Sequence, residues 1–342
     1  MRPLIFVLAL LGVTASAQTP PEQTSAPPEQ PVPPAVSSDA TELDTVLVTG
    51  EQPGPGLWKV SKGDHVLWIL GTQYPLPKKM TWRADEVERT IADSQEVIAD
   101  ATGKLDINFF RALTLVPAVL GARKNPDHAT LQDVLSPDLY VRWLALKAKY
   151  IGHDSGIEKL RPMIAANELY DKALDTSGLV RNGAIWDTVR KAAKKNHVRI
   201  TEPEAKIPVE DPKQAIQDFK STTGDLDVAC LETTIRRLET DLGAMRLRAN
   251  AWAIGDIQAL KDLPYPDMRG ACIAALETNP RLHEQLDAAK ERIIGVWLDA
   301  ADKALANNRS TLAVLSMAEL LNDEDGRLAR LRAKGYTIEE PE

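Results

Sequence analysis

The sequence is poor in the residues that most often carry chemistry. It has two cysteines, Cys230 and Cys272, and five histidines, His65, His128, His153, His197 and His283, in 342 residues. No two histidines stand at a His-x-x-His or His-x-x-x-His spacing, and each reads as a solvated side chain, not a transition-metal ligand. There is no Gly-x-Ser-x-Gly elbow and no phosphate-binding glycine loop, which excludes two common catalytic designs. The cysteines are too far apart for a Cys-x-x-Cys redox or zinc motif. No apolar run reaches the ~20 residues that cross a bilayer, so no transmembrane anchor is expected. A net charge of −8 offers no basic excess for nucleic acid or for an anionic membrane surface. The acidity is dispersed and implies solubility more than a cationic ligand.

What is present begins with a secretory signal over residues 1–17. Arg2 supplies the positive start, Leu4–Val13 the apolar core, and Ala15-Ser16-Ala17 the small-residue cleavage site. No cysteine follows that site, so a lipid anchor is not expected, and the location implied is periplasmic or secreted. Gln18–Asp39 is made mostly of Pro, Ser, Thr, Gln and Glu, too polar to bury a core, and residues 18–54 read as a disordered linker. Thr45–Gly50 reads as an extended lead-in. No second linker of this kind follows, so 55–342 is expected to be one domain. Export to an oxidising compartment favours a Cys230–Cys272 disulfide. It would close a loop of about 43 residues, worth roughly 4 kcal/mol by loop entropy.

Two strands with a turn at Lys62–Asp64 open the domain. In the second, Val66, Trp68 and Leu70 alternate with Leu67 and Ile69, so both faces are apolar and the strand should be central. It ends at a Gly71-Thr72 corner, and α/β sheets place ligands just past such carboxyl ends. Helices are expected over Thr81–Ser94, Leu105–Ala122, Leu131–Tyr150, Arg161–Leu174, Ala184–Lys195, Leu282–Asn307 and Gly326–Lys334. Strands are expected over Glu96–Ala101, His197–Thr201, Thr311–Ser316 and Tyr336–Glu339. Leu105–Ala122 is so apolar, through Phe109, Phe110, Leu113, Leu115, Val116 and Val119, that it implies core or a covered groove. Val228, Leu231, Ile235, Leu238, Leu242, Met245, Ala249 and Trp252 form one stripe at helical spacing. It reads as a single helix packed on a Gly270–Leu276 helix, or as an oligomer seam. The fold class is α/β: a mixed central sheet built from strands at both ends of the domain, flanked by helices, with a largely helical middle.

Several stretches carry a family resemblance in their order along the chain. They are the LWKV strand from Leu57, the Gly71-Thr72 corner, Pro75–Trp82, Thr201-Glu202, Ala251–Asp256, the TLAVLS strand to Ser316, Asp325-Gly326 and the closing LRAKGYTIE. From Pro55 to Glu342 the chain resembles the TraB/GumN family. Members look like metal-dependent hydrolases, and some animal relatives act as membrane-tethered peptidases. The resemblance implies two Gly-x-x-His motifs at strand ends joined by acidic residues. Such a set would hold a divalent ion that acidifies a bound water. This chain departs from the pattern. Tyr74 stands at the first histidine position, and the second motif is Ser316-Met317-Ala318-Glu319. Asp100 replaces a usual glutamate, while Glu202 matches. An expected Arg-Asn pair is absent, since Ile293-Ile294-Gly295-Val296 precede Trp297.

The expectation is therefore a degenerate enzyme that binds a peptide or sugar-like ligand, with Tyr74 as an aromatic wall and no cofactor. A peptide, a glycan or a protein could be the partner. The alternative is a divergent hydrolase in which Asp100, Glu202 and Glu319 form an all-oxygen site for Ca²⁺ or Mg²⁺ and Tyr74 is an acid or oxyanion donor. The same carboxylates could instead be bonded to neighbouring backbone or to Tyr74. A third reading is an assembly protein using the Val228–Trp252 helix.

Overall fold

The computed structural model describes residues 54–180, 184–221, 224–263, 272–273, 277, 279–322 and 325–341. The expected signal, most of the expected linker and most of the Gly270–Leu276 helix lie outside these residues.

Among the described residues ten strands form: β1 (Leu57–Lys62), β2 (His65–Thr72), β3 (Leu76–Pro77), β4 (Glu96–Ile98), β5 (Thr102–Asp106), β6 (Leu179–Val180), β7 (Arg199–Thr201), β8 (Glu204–Pro208), β9 (Ser310–Ser316) and β10 (Thr337–Glu339). β1 and β2 make the expected antiparallel hairpin, Leu57 facing Leu70 and Lys62 facing His65. Gly63 takes a φ of +62° at its turn, a conformation that glycine adopts without strain. Six strands join one sheet in the order β10-β1-β2-β9-β4-β7. β2, β9, β4 and β7 run parallel, and β1 and β10 add an antiparallel margin. β2 and β9 lie side by side from Val66–Ser310 to Thr72–Ser316, so the first and last apolar strands of the chain become its centre. Leu67, Ile69, Leu70 and Leu312–Leu315 are all buried, as strands covered on both faces require.

Going from β2 to β4 and from β4 to β7, the chain steps outward through helices Asp85–Ala92 and Ala184–Lys195, which pack together. From β7 to β9 it steps back through helix Pro280–Asn307. The usual right-handed sense of such crossovers would put the first two helices on one face and the long helix on the other. The sheet core gathers Trp58, Trp252 and Trp297 with the central strands. A second core, in the helical middle, packs Trp143, Leu169, Leu231, Ile235 and Met245.

The structure corrects several boundaries. Glu96–Ala101 is a strand only to Ile98, and the helix expected over Thr81–Ser94 is confined to Asp85–Ala92. Leu131–Tyr150 is two helices, Leu131–Val134 and Pro137–Tyr150, because Pro137 cannot continue a helix and instead starts one capped by Ser136. Leu105 belongs to β5, which pairs in parallel with β8, a ladder the sequence did not suggest. The helix that follows runs Phe109–Ala122, and its phenylalanines are exposed, not covered. The Val228–Trp252 stripe is broken at Asp241 into helices Gly224–Thr240 and Leu242–Ala253. Helix Gly224–Thr240 packs mainly on helix Pro162–Thr176 of its own chain.

Cys230 and Cys272 are buried and bonded, their Cα atoms 4.5 Å apart. The bridge ties helix Gly224–Thr240 to a distant segment and should matter for stability. Reduction, or Cys272→Ser, is expected to cost about 2–5 kcal/mol, read as a lower denaturant midpoint. An unchanged midpoint would show that the bridge adds no constraint.

Candidate functional site

The four parallel strands point the same way, β2 ending level with β9 and β4 level with β7, and each sequence candidate lies one to three residues beyond one of them. Tyr74 follows β2, Glu319 follows β9, Asp100 follows β4 and Glu202 follows β7. This is the margin where a parallel sheet opens to ligands.

The Gly71 corner is closely packed. A Cβ on Gly71 would lie 2.6 Å from Met317 Cε and 3.0 Å from Leu320 Cδ1, so a side chain there would make those two side chains shift. The Gly71 carbonyl accepts a 2.8 Å hydrogen bond from Trp252 Nε1, and Trp252 meets Trp82 edge-on at 5.4 Å. Thr72 donates to the Leu315 carbonyl at 3.1 Å. Tyr74 is half-buried; burial pushes its phenol up, against the Thr72 hydroxyl and Arg190 beside it. Arg190 in turn lies 5.3 Å over the Trp186 ring. Tyr74 thus sits in a small set of aromatic and cationic groups on the side of helix Ala184–Lys195.

On the other side the site is built around a residue the sequence reading passed over, Arg327. Ser316 caps the short helix Met317–Leu320 by accepting from the Glu319 N–H at 3.2 Å, which turns the Glu319 side chain inward. The buried Glu319 carboxylate accepts from the Arg327 backbone N–H at 2.8 Å, and its other oxygen lies 3.3 Å from Arg327 Nη1. Arg327 Nη2 lies 3.0 Å from Asp100 Oδ1. The guanidinium also lies 5.5 Å from the centre of the Trp297 ring. Gly326 makes the close approach possible, since a Cβ there would stand 2.8 Å from the Glu319 carbonyl oxygen.

A second layer of charges fixes helix Arg327–Ala333 in place. Arg330 holds Glu291 through two bonds of 2.7 and 2.8 Å and Asp325 through one of 2.9 Å. Lys290 reaches Asp325 at 3.3 Å. Burial would raise the Asp325 carboxyl, but the bonds from Arg330 and Lys290 outweigh it and hold it below its ordinary range. The Arg330 bonds likewise depress Glu291.

The structure therefore brings Asp100 and Glu319 together, leaves Tyr74 with Thr72 and Arg190, and leaves Glu202 exposed. Among the described residues Glu202 forms no ion pair. The divalent ion that the resemblance implies does not fit here. The place between Asp100 and Glu319 is taken by a guanidinium, and among the described residues no group of three or more His, Cys, Asp or Glu is arranged around one point. The sequence signal that could have found Arg327 is the Gly326-Arg327 step at a helix start, just after the altered second motif.

A separate cleft of about 450 Å³ runs between β7 and the later half of helix Pro280–Asn307, lined by Glu96, Arg199, Asp299, Lys303 and Asn308 among others. Burial would raise Glu96, but hydrogen bonds from Thr201, Arg199 and Asn308 outweigh it and lower the carboxyl. Those bonds also occupy both its oxygens, which marks Glu96 as a tie between strands.

Comparison with curated proteins and with solved structures returns no match. A sequence profile described as the TraB/PrgY/gumN family matches residues 56–340, most of the chain and all of the sheet that carries the site. By that match the chain belongs to the TraB/PrgY/gumN family.

Proposed function

We propose that this is an exported member of the family in which an internal arginine has taken the place of the metal, and which binds a peptide or sugar-like ligand at the carboxyl ends of its parallel strands. The observation that carries the reading is Arg327 between Asp100 and Glu319. A guanidinium supplies positive charge to two carboxylates, but it has no open coordination position and cannot acidify a water. The same contacts weigh against the carboxylate hydrolase, because Glu319 is buried under Arg327 and Glu202 is exposed. Tyr74, Trp186 and Arg190 support a binding role, since aromatic faces and a cation suit sugar rings and peptide carboxylates. The disulfide agrees with the export that residues 1–17 imply. The assembly reading is weakened because most of the Val228–Trp252 stripe is buried within its own chain.

The test is calorimetric titration of the purified protein with Mn²⁺, Co²⁺, Zn²⁺ and Ca²⁺, beside a peptide-hydrolysis assay. No metal uptake and no metal-dependent cleavage are expected. Tight one-to-one binding that disappears in Glu319→Ala would overturn the reading and restore the metallohydrolase.

A further inference from the structure

The cleft beside β7 takes no part in the strand-end site, and its two ends carry opposite charge. β7 closes the six-stranded sheet, and among the described residues no strand pairs with its outer edge. Helix Pro280–Asn307 leads into β9, which runs parallel to β4 and β7, so the end of the helix lies by the starts of those strands. There Asn308 and Arg199 both bond Glu96. Further back along the helix, Val296 packs with Ala205 and Ile207 of β8, the strand that follows the end of β7. The helix therefore runs along the cleft against the direction of β7. Arg199 and Lys303 line the end by the start of β7, and Thr201, Val296 and Asp299 line the other.

The cationic end is held in place from beneath. Glu96 is buried and accepts from Thr201, from Asn308 at 3.1 Å and from Arg199 Nη2 at 2.9 Å. One nitrogen of the guanidinium is fixed in this way, while the Arg199 side chain stays 69% exposed and its other N–H groups have no hydrogen-bond partner among the described residues. Lys303 and Asp299 are exposed, and among the described residues neither enters an ion pair. The four charges of the lining sum to zero, which suits a ligand that carries both signs better than a polyanion.

We propose that this cleft binds a dipeptide with both termini free, its carboxylate between Arg199 and Lys303 and its ammonium on Asp299. Asp299 and Lys303 are four residues apart, about 6 Å along the helix axis. An extended dipeptide spans about 7 Å, whereas a free amino acid holds its two charges too close together to reach both ends. The volume, about 450 Å³, falls in the range of roughly 300–1,000 Å³ common for small ligands. Val296 and Ala300 give the helix wall an apolar strip for the peptide side chains.

The test is a chemical-shift titration of the full chain with alanyl-alanine, beside its N-acetyl form, its C-terminal amide and free alanine. Millimolar dipeptide should shift the amides of residues 199–201 and 299–303, and either capped form should bind about fivefold more weakly. Asp299→Asn should weaken the free dipeptide about fivefold and leave the N-acetyl form unchanged. Lys303→Met should weaken the free dipeptide likewise and leave the amide unchanged. A merely structural effect of either substitution would weaken all forms together. Both positions are exposed, so the fold should survive, and an unchanged thermal midpoint checks this. Arg199 is kept, because Glu96 needs it. No shift at the cleft with millimolar dipeptide overturns the proposal. So does equal weakening of free and capped forms in the variants, or binding of free alanine as tight as that of the dipeptide.

Discussion

Replacing Arg327 by methionine should destabilise the protein by about 3–5 kcal/mol, the cost of leaving a buried carboxylate without its counter-ion. Glu319 loses both its neutralising charge and one of its close contacts, while it stays buried beneath the same strands. Asp100 is more open and should contribute less to the loss, since a half-exposed carboxylate can be solvated by water. Methionine keeps much of the volume over Trp297, so the effect reports charge more than packing. The control is the pair Arg327→Met with Glu319→Gln. Removing both charges together should recover part of the loss, and the coupling between the sites should reach about 0.5–3 kcal/mol. Denaturant unfolding of the four proteins measures it. If Arg327→Met alone stays within about 0.5 kcal/mol of native, the guanidinium is not the counter-ion of the site, and the account of the altered metal centre falls with it.

That arginine shows where sequence reading ends. The β1–β2 hairpin and β9 were legible because burial on both faces leaves continuous apolar runs such as Val66–Leu70 and Leu312–Leu315. The strand-end candidates Tyr74, Asp100, Glu202 and Glu319 came instead from the family resemblance laid over those strands. What was not legible is which side chains meet across those ends. Arg327 begins a short helix, a place where an arginine is commonly a surface residue, and only the folded sheet brings it to Asp100. Pairing was hidden in the same way for Thr102–Asp106 and Glu204–Pro208. Every other residue there is exposed, so the segments lack the apolar runs that marked the central strands. Helix Phe109–Ala122 failed for the opposite reason. Its composition matches a core helix, but it meets too few neighbours to be covered.

The break in the Val228–Trp252 stripe sets helix propensity against buried charge, and the charge should win. Asp241 lies between helices Gly224–Thr240 and Leu242–Ala253 at φ −109° and ψ −2°. Its carboxylate accepts from Arg248 at 2.7 Å and from Arg237 at 3.2 Å, and Arg248 is 1% exposed. Arg237 also lies 5.2 Å over the Tyr170 ring, within the core of the helical middle. Alanine at 241 would be the better helix former by at most about 0.7 kcal/mol, and it would favour the continuous helix that the apolar spacing describes. It would also leave two guanidiniums without their shared anion, one of them fully buried, at a cost of about 3–5 kcal/mol. Asp241→Ala is therefore expected to lower stability by about 3 kcal/mol or more, with little change in helix content by circular dichroism. Asp241→Asn keeps an oxygen to accept one bond but loses the charge, and should fall between native and alanine. A stabilised Asp241→Ala protein with added helix would mean that propensity governs the break and that the arginines find other partners. The expected loss means that the chain gives up a straight helix to seat Arg248, and with the straight helix goes the unbroken stripe that a coiled-coil partner would need.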